Sequence, residues 1–267
     1  MAVKIVKITV IGAGRIGGAI ARALLEAGFE VTATRKKIEK IEYLERLGAK
    51  ISCDNKTAAK EADLIMICVK PKDLKAVLQE IRDEIQGKIV ISFVAAVKLS
   101  YMKKICPEVL FVRVMPNLSV LVRSSLIAYC SDANMANQLK ESVENILRAL
   151  GKPIEIEESK MDAITALSGC APAYLSIVTE ALVYAGLKVG LSKELALLSA
   201  AQAMMGMGKL ILEKGLSPYE IKDAVATPGG VTIEGLTELE SIPIRYAFIR
   251  AVTKAMEKSI NLSKLFE

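Results

Sequence analysis

The chain has 267 residues, 52% of apolar types and 25% charged, which suits two folded domains and excludes a disordered polypeptide. Lys and Arg number 36 against 30 Asp and Glu, a net charge of +6; it is spread along the chain, with Arg35-Lys36-Lys37 the longest basic cluster, so it fits an anionic small molecule and not a nucleic-acid surface. The chain contains no His, which excludes a Ser-His-Asp triad, a Cys-His dyad and His-liganded zinc or haem, and leaves Asp, Glu, Lys, Tyr or Cys for any acid–base role.

In chain order, strand and helix signals alternate over residues 1–156. Residues 3–11 are β-branched and apolar. Residues 16–27 carry Ile16, Ile20, Ala23, Leu24 and Ala27 at helical spacing, and Gly28 stops the run. Strands are expected at 29–34, 49–53, 63–69, 88–94, 110–115, 125–130 and 153–157. Helices are expected at 40–47, 55–62, 74–85 and 133–150. The run Asp63–Val69 is almost continuously apolar, as a strand inside a parallel sheet should be. Pro71 is expected to end it. This alternation implies an α/β fold with a doubly wound parallel sheet.

From Ser159 the strand signals vanish. Helices are expected at 159–167, 172–189, 193–213, 218–226, 232–239 and 244–263. The expected division is therefore residues 1–158, an N-terminal sheet domain, and residues 159–267, an all-helical C-terminal domain. Two stretches, Ala163–Thr179 and Leu195–Gly208, are uncharged. Both are shorter than a membrane span of about 20 residues, so a buried helix or a subunit interface is expected, with no membrane partner. Helices apolar nearly all round need covering on every side, which points to a homodimer sharing this domain.

The five cysteines, Cys53, Cys68, Cys106, Cys130 and Cys170, contain no CxxC pair. No metal cluster is expected, and their odd number points to a reducing cytoplasm. The apolar run at the start of the chain is too short for a secretion signal.

Five segments carry chemistry. Gly12-Ala13-Gly14-Arg15-Ile16-Gly17 follows a strand and opens a helix. In that context GxGxxG is a dinucleotide fingerprint, with glycines for the turn, for pyrophosphate approach and for helix–strand packing. At the end of the next strand an NAD site usually places an acid for the ribose. Here stand Thr34, Arg35 and Lys36, which suit a 2′-phosphate and hence NADPH, with NADH as the alternative donor. Lys70, with Val69 and Pro71, ends the fourth strand at the ligand edge of a parallel sheet, where a plain strand terminus would look the same. Asn55, Ala95 and Asn117 occupy equivalent strand ends. Thr227-Pro228-Gly229-Gly230-Val231-Thr232 lies between two helices. Its amides and the following helix N-terminus make a seat for a carboxylate, or simply a helix corner. Ala166-Leu167-Ser168-Gly169-Cys170-Ala171-Pro172-Ala173-Tyr174 enters a long helix and could face a nicotinamide; a buried structural thiol is the bland alternative.

These segments in this order resemble the pyrroline-5-carboxylate reductase family over essentially the whole chain. The matching pieces are IGAGRIGGAI at 11–20, DN at 54–55, VKP at 69–71, VRVMPN at 112–117, TALSG and PAY around 165–174, and TPGG-x-TI at 227–233. The resemblance implies a Rossmann-like domain for the cofactor and an intertwined helical dimerisation domain, with a decamer of five dimers in several members. It implies reduction of a cyclic imine to proline, the last step of proline biosynthesis. It also implies that Thr227, Gly230 and Val231 hold the substrate carboxylate and Thr232 the ring nitrogen. The cofactor positions fall on Gly12 to Gly17, Thr34, Arg35, Asn55, Val69, Lys70, Pro71, Ala95 and Asn117. The chain departs from the family pattern at Cys170-Ala171, Leu118-Ser119, Ala96 and Ile242-Pro243.

A β-hydroxyacid dehydrogenase would need a Lys proton donor early in the second domain, and residues 172–187 contain none. A reductase of a related imino acid and a non-catalytic NADP-binding sensor are the other readings. An intact TPGG loop argues against the sensor.

Overall fold

The computed structural model describes residues 6–266. Residues 3–5 of the strand expected at 3–11 lie outside the described residues. Two compact units form: one runs to Pro172 and includes the segment from Lys254, and the other is Ala173–Thr253.

The first unit is built in chain order from β1 (Lys7–Ile11), α1 (Arg15–Glu26), β2 (Glu30–Thr34), the single turn α2 (Glu42–Glu45), β3 (Lys50–Ser52), α3 (Asn55–Glu61) and β4 (Leu64–Ile67). Then follow α4 (Pro71–Ile81), β5 (Ile89–Ser92), α5 (Leu99–Ile105), β6 (Leu110–Met115), β7 (Ser125–Ser131), α6 (Asn137–Leu147), β8 (Gly151–Glu155) and α7 (Met161–Ile164). The strands make one sheet in the order β3-β2-β1-β4-β5-β6-β7-β8. This is a doubly wound sheet, with the chain reversing direction beside β1. Side chains alternate between its two covered faces. Ile8, Val10, Leu64, Met66 and Ile91 pack with Ile20 and Leu24 of α1. Ile65, Ile67 and Val90 pack with Leu74 and Leu78 of α4.

Three local differences from the expected pattern have physical reasons. First, β6 and β7 pair antiparallel in an otherwise parallel sheet. The connection covers only residues 116–124, shorter than the dozen or so that a parallel crossover needs. Second, Pro71 does not merely end a strand; it is the first residue of α4. It has no amide to donate, and its fixed φ suits that position. The helix thus starts earlier than the apolar spacing from Leu74 suggested. Third, α5 is an additional element. Its N-cap is Lys98, which makes no side-chain cap, so the sequence carries no start signal for it.

The second unit contains only helices. Most of α8 (Ala171–Lys188) belongs to it, followed by α9 (Lys193–Lys214), α10 (Pro218–Val225), α11 (Val231–Glu240) and the first part of α12 (Ile244–Ser263). Ser217 and Glu220 form a reciprocal capping box at the start of α10. The expectation that the uncharged stretches are too short to span a bilayer is corrected. The helical run 158–188 and α9 are 31 and 22 residues long and apolar enough to do so, and only 11% of the apolar stretch in each is buried. The helices continue through the charged residues that flank each stretch, which the uncharged length alone missed. Ile177, Leu198 and Leu212 are 67%, 64% and 76% exposed. Apolar exposure on that scale requires a cover.

Candidate active site

At the carboxyl ends of β1, β2 and β4 a cleft of about 460 Å³ opens in the first unit. Gly12 turns the chain out of β1 with φ +88°, and a side chain there would press on Val69 at 2.7 Å. A side chain at Gly17 would collide with the carbonyl oxygen of Gly12 and stand 2.9 Å from Cys68. These two glycines are therefore required by the protein itself. Gly14 is different: a Cβ there would meet no described atom closer than 3.9 Å. The space above it is open. Gly14 is the N-cap of α1, which has neither a side-chain cap nor an acid in its first turn. The amides of Arg15, Ile16 and Gly17 have no preceding helical carbonyl to meet. The N-terminus is thus left bare for an anion, with room for a pyrophosphate to approach the backbone.

The cleft wall unites most of the residues expected there. Gly12, Gly14, Thr34, Arg35, Lys36, Asn55, Val69 and Lys70 all line it. Ala13 is buried, and its carbonyl accepts from Arg35 Nη1 at 3.2 Å. That bond holds the guanidinium over the glycine loop. Thr34 is fully buried, and its hydroxyl donates to Asn55 Oδ1 at 2.6 Å. Its hydroxyl proton is thereby used to orient Asn55. Arg15, Ile16 and Gly17 on α1 and Pro71 on α4 are not part of the lining, and Ala95 is exposed beyond β5.

The sequence reading missed the outer wall, formed by Lys72, Asp73, Ala76, Val77 and Glu80 of α4. Glu80 Oε2 accepts from Asn55 Nδ2 at 3.0 Å. A signal was present: positions 73, 76, 77 and 80 share one helical face. Cys68 also lines the cleft, and burial pushes its thiol well above the usual range.

Asn117 stands at the end of β6, with every hydrogen-bonding group engaged. Its amide donates to Ser125 Oγ at 2.8 Å, its Oδ1 accepts from Ser119 N at 2.9 Å, and its Nδ2 donates to the Ser168 carbonyl at 3.1 Å. The segment Thr165–Gly169 is a π-turn joining α7 to α8. Gly169 lies against Met115, where a Cβ would come to 2.9 Å. Cys170 and Ala171 follow directly, so these departures from the family pattern fall at the exit of the π-turn.

In the second unit Thr227-Pro228-Gly229-Gly230 forms a β-turn. The Gly230 amide donates to the Thr227 carbonyl at 2.9 Å, and Gly229 has φ +68°, as a type II turn requires at its third position. The Gly230 amide is thus committed inside the turn. The donors left at the N-terminus of α11 belong to Val231, Thr232 and Ile233, the first three helical residues. Val231 is 92% exposed. Gly230 admits no side chain, because a Cβ would collide with Thr227 Oγ1. Thr232 therefore lies within the first turn and is not the cap.

A bare helix N-terminus over an open glycine, on the carboxyl edge of a doubly wound sheet, is how nicotinamide-dependent oxidoreductases hold their dinucleotide, and the chain is of that class. Residues 7–96 match the family model "NADP oxidoreductase coenzyme F420-dependent", and residues 158–262 match "Pyrroline-5-carboxylate reductase dimerisation". The chain is 36% identical to a pyrroline-5-carboxylate reductase of Methanosarcina acetivorans, over 97% of this chain and 98% of that protein. Among solved structures, that of a pyrroline-5-carboxylate reductase from Coxiella burnetii superposes with a TM-score of 0.90 at 31% identity, over 97% of this chain and 99% of the other. That of the Plasmodium falciparum pyrroline carboxylate reductase, solved with NADP bound, gives 0.88 at 30%, over 97% and 98%. The chain belongs to the pyrroline-5-carboxylate reductase family.

Proposed function

We propose that this protein reduces the cyclic imine of 1-pyrroline-5-carboxylate to proline, with NADPH as the preferred donor and NADH as the alternative. The observation that carries this reading is a match to reductases of that name running through both units, so that the cofactor cleft and the TPGG loop occur in one chain. The functional division we assign is residues 1–158 for the cofactor and 159–267 for substrate and assembly. It is supported by the end of the sheet at Glu155 and by the dimerisation match from residue 158.

The bound nicotinamide supplies the hydride. The Arg15–Gly17 amides would hold the pyrophosphate, Arg35 and Lys36 the 2′-phosphate, and Lys70 and Asn55 the neighbouring groups. The Val231 and Thr232 amides would anchor the substrate carboxylate, and the Thr232 hydroxyl would meet the ring nitrogen. A protonated imine accepts hydride at carbon while the C=N electron pair withdraws to nitrogen, giving the amine directly. Orientation is then the main requirement, and a chain without His meets it.

The active form we propose is a homodimer, with a decamer of five dimers as the higher assembly. The exposed apolar faces of α8 and α9 are covered in this reading by a second copy rather than by lipid. A reducing, cytoplasmic setting agrees with five free thiols. The test is oxidation of NADPH by the purified protein with pyrroline-5-carboxylate, beside pyrroline-2-carboxylate and the six-membered homologue, with mass measured by light scattering without detergent. Fastest turnover on pyrroline-5-carboxylate by a dimer or its multiple is expected. Cofactor binding without turnover on any imine would return the sensor reading, and aggregation relieved only by detergent would return the membrane.

A further inference from the structure

We propose that Glu80 selects between cofactor forms: its carboxylate accepts a hydrogen bond from the 2′-hydroxyl of the adenine ribose, and so lets the cleft take NADH as well as NADPH. The inference rests on the cofactor reading above. A site for unphosphorylated ribose needs a carboxylate near the end of β2, and the chain there reads Thr34-Arg35-Lys36. The fold brings an acid to that place from another element. Thr34 donates to Asn55 Oδ1 at 2.6 Å and Asn55 Nδ2 donates to Glu80 Oε2 at 3.0 Å, a relay running from the buried end of β2 to the carboxylate.

The relay has a fixed polarity. An ionised carboxylate only accepts, so the amide must turn its NH₂ toward Glu80 and its oxygen toward Thr34. The Asn55 bond occupies one carboxylate oxygen and leaves the other for a hydroxyl. Asp73, the other acid on the cleft wall, lies seven residues earlier, about 10 Å along the helix. Its amide donates to the Lys70 carbonyl, at the opposite end of α4. Arg35 and Lys36 line the same cleft as Glu80. A site for phosphate alone gains nothing from a tethered carboxylate, which repels a phosphate. Acid and base together fit a pocket that takes both forms.

The test is the dissociation constant of NADPH and of NADH, each read from nicotinamide fluorescence without turnover, for the wild type, Glu80→Gln and Glu80→Asp. Glu80→Gln keeps an acceptor for Asn55, and Glu80→Asp keeps the charge but not the reach. Both variants should bind NADH about tenfold or more weakly, the loss expected for one hydrogen bond to a charged group, while NADPH binding holds or tightens. Tightening of both cofactors in Glu80→Gln, with no change in Glu80→Asp, would mean a field effect only and overturn the proposal. Equal weakening of both would mean that Glu80 reads the adenine amine, and would also overturn it. A wild type that binds neither cofactor would remove the cofactor reading and this inference with it.

Discussion

Arg35 is the residue on which the proposed selection of a phosphate turns. Its guanidinium is braced on the Ala13 carbonyl at 3.2 Å, so its planar fork is positioned before any ligand arrives. Lys36 beside it is an exposed point charge without that bracing. Arg35→Gln should therefore weaken NADPH binding by about 10- to 100-fold, the effect of one charge-assisted bond, and leave NADH nearly unchanged. Equal losses for both cofactors in a fluorescence titration would show that Arg35 serves the common part of the dinucleotide. Ala96 carries a different kind of information. Its φ is +64°, left-handed backbone that costs a residue with a Cβ about 1 kcal/mol or more. The family pattern has Gly at this position, and the structure supplies the reason. Ala96→Gly should raise stability by about 0.5–1 kcal/mol, after the added freedom of the unfolded chain is set against the relief of strain. A lower midpoint in urea would mean that the methyl packing of this buried side chain outweighs the strain.

Helix α1 and its glycines illustrate how an element divides stability from function. Gly17 is pressed against the Gly12 carbonyl, while Gly14 faces open space. Gly14→Ala should leave thermal stability nearly unchanged, or slightly raised, and weaken NADPH binding at least tenfold by keeping the pyrophosphate off the backbone. Gly17→Ala should cost several kcal/mol, as overpacking against backbone does. Paired calorimetry and titration separate the two, and a large loss of stability in Gly14→Ala would refute the distinction. The sequence exposed this element fully, because glycine spacing, strand context and helical periodicity agree there. It exposed α4 less well. Pro71 reads equally as a strand stop or a helix start, and choosing the stop began the helix at Leu74 and left Asp73 outside it. Strand direction was not legible at all in the apolar runs of β6 and β7; only the short connection between them decides it. Nor could spacing reveal that Thr34 turns inward, since its partner Asn55 is distant in sequence and meets it only through the parallel pairing of β2 with β3. The Gly230 amide was expected to bind substrate, yet its use depends on the φ of its neighbour Gly229, which composition permits but does not dictate.

The whole chain imposes a pH signature on the proposed reaction. It has no His, the one side chain whose ordinary pKa lies near neutrality. Where thiols and phenols are displaced, they move away from neutrality. Burial pushes Cys68 and Cys106 up, raises Cys130 to about 12, and, with help from Glu144, raises Tyr129 to about 12. The proposed reaction then takes its proton from the imine itself. The protonated fraction of substrate falls as pH rises through the substrate's own pKa, so kcat/KM should fall on the alkaline side, with a slope of at most one. No acidic limb should appear between about pH 6 and 8. Thr232→Ala removes the hydroxyl assigned to the ring nitrogen and should lower kcat by about tenfold, the value of one good hydrogen bond. The apparent pKa should stay where it is, because the titrating atom belongs to the substrate. A six-membered imine of different basicity should instead carry the pKa with it. A bell-shaped profile centred near neutrality, or a pKa that moves with Thr232→Ala but not with the substrate, would assign the proton to the protein and require an acid among the Asp, Glu, Lys, Tyr and Cys side chains.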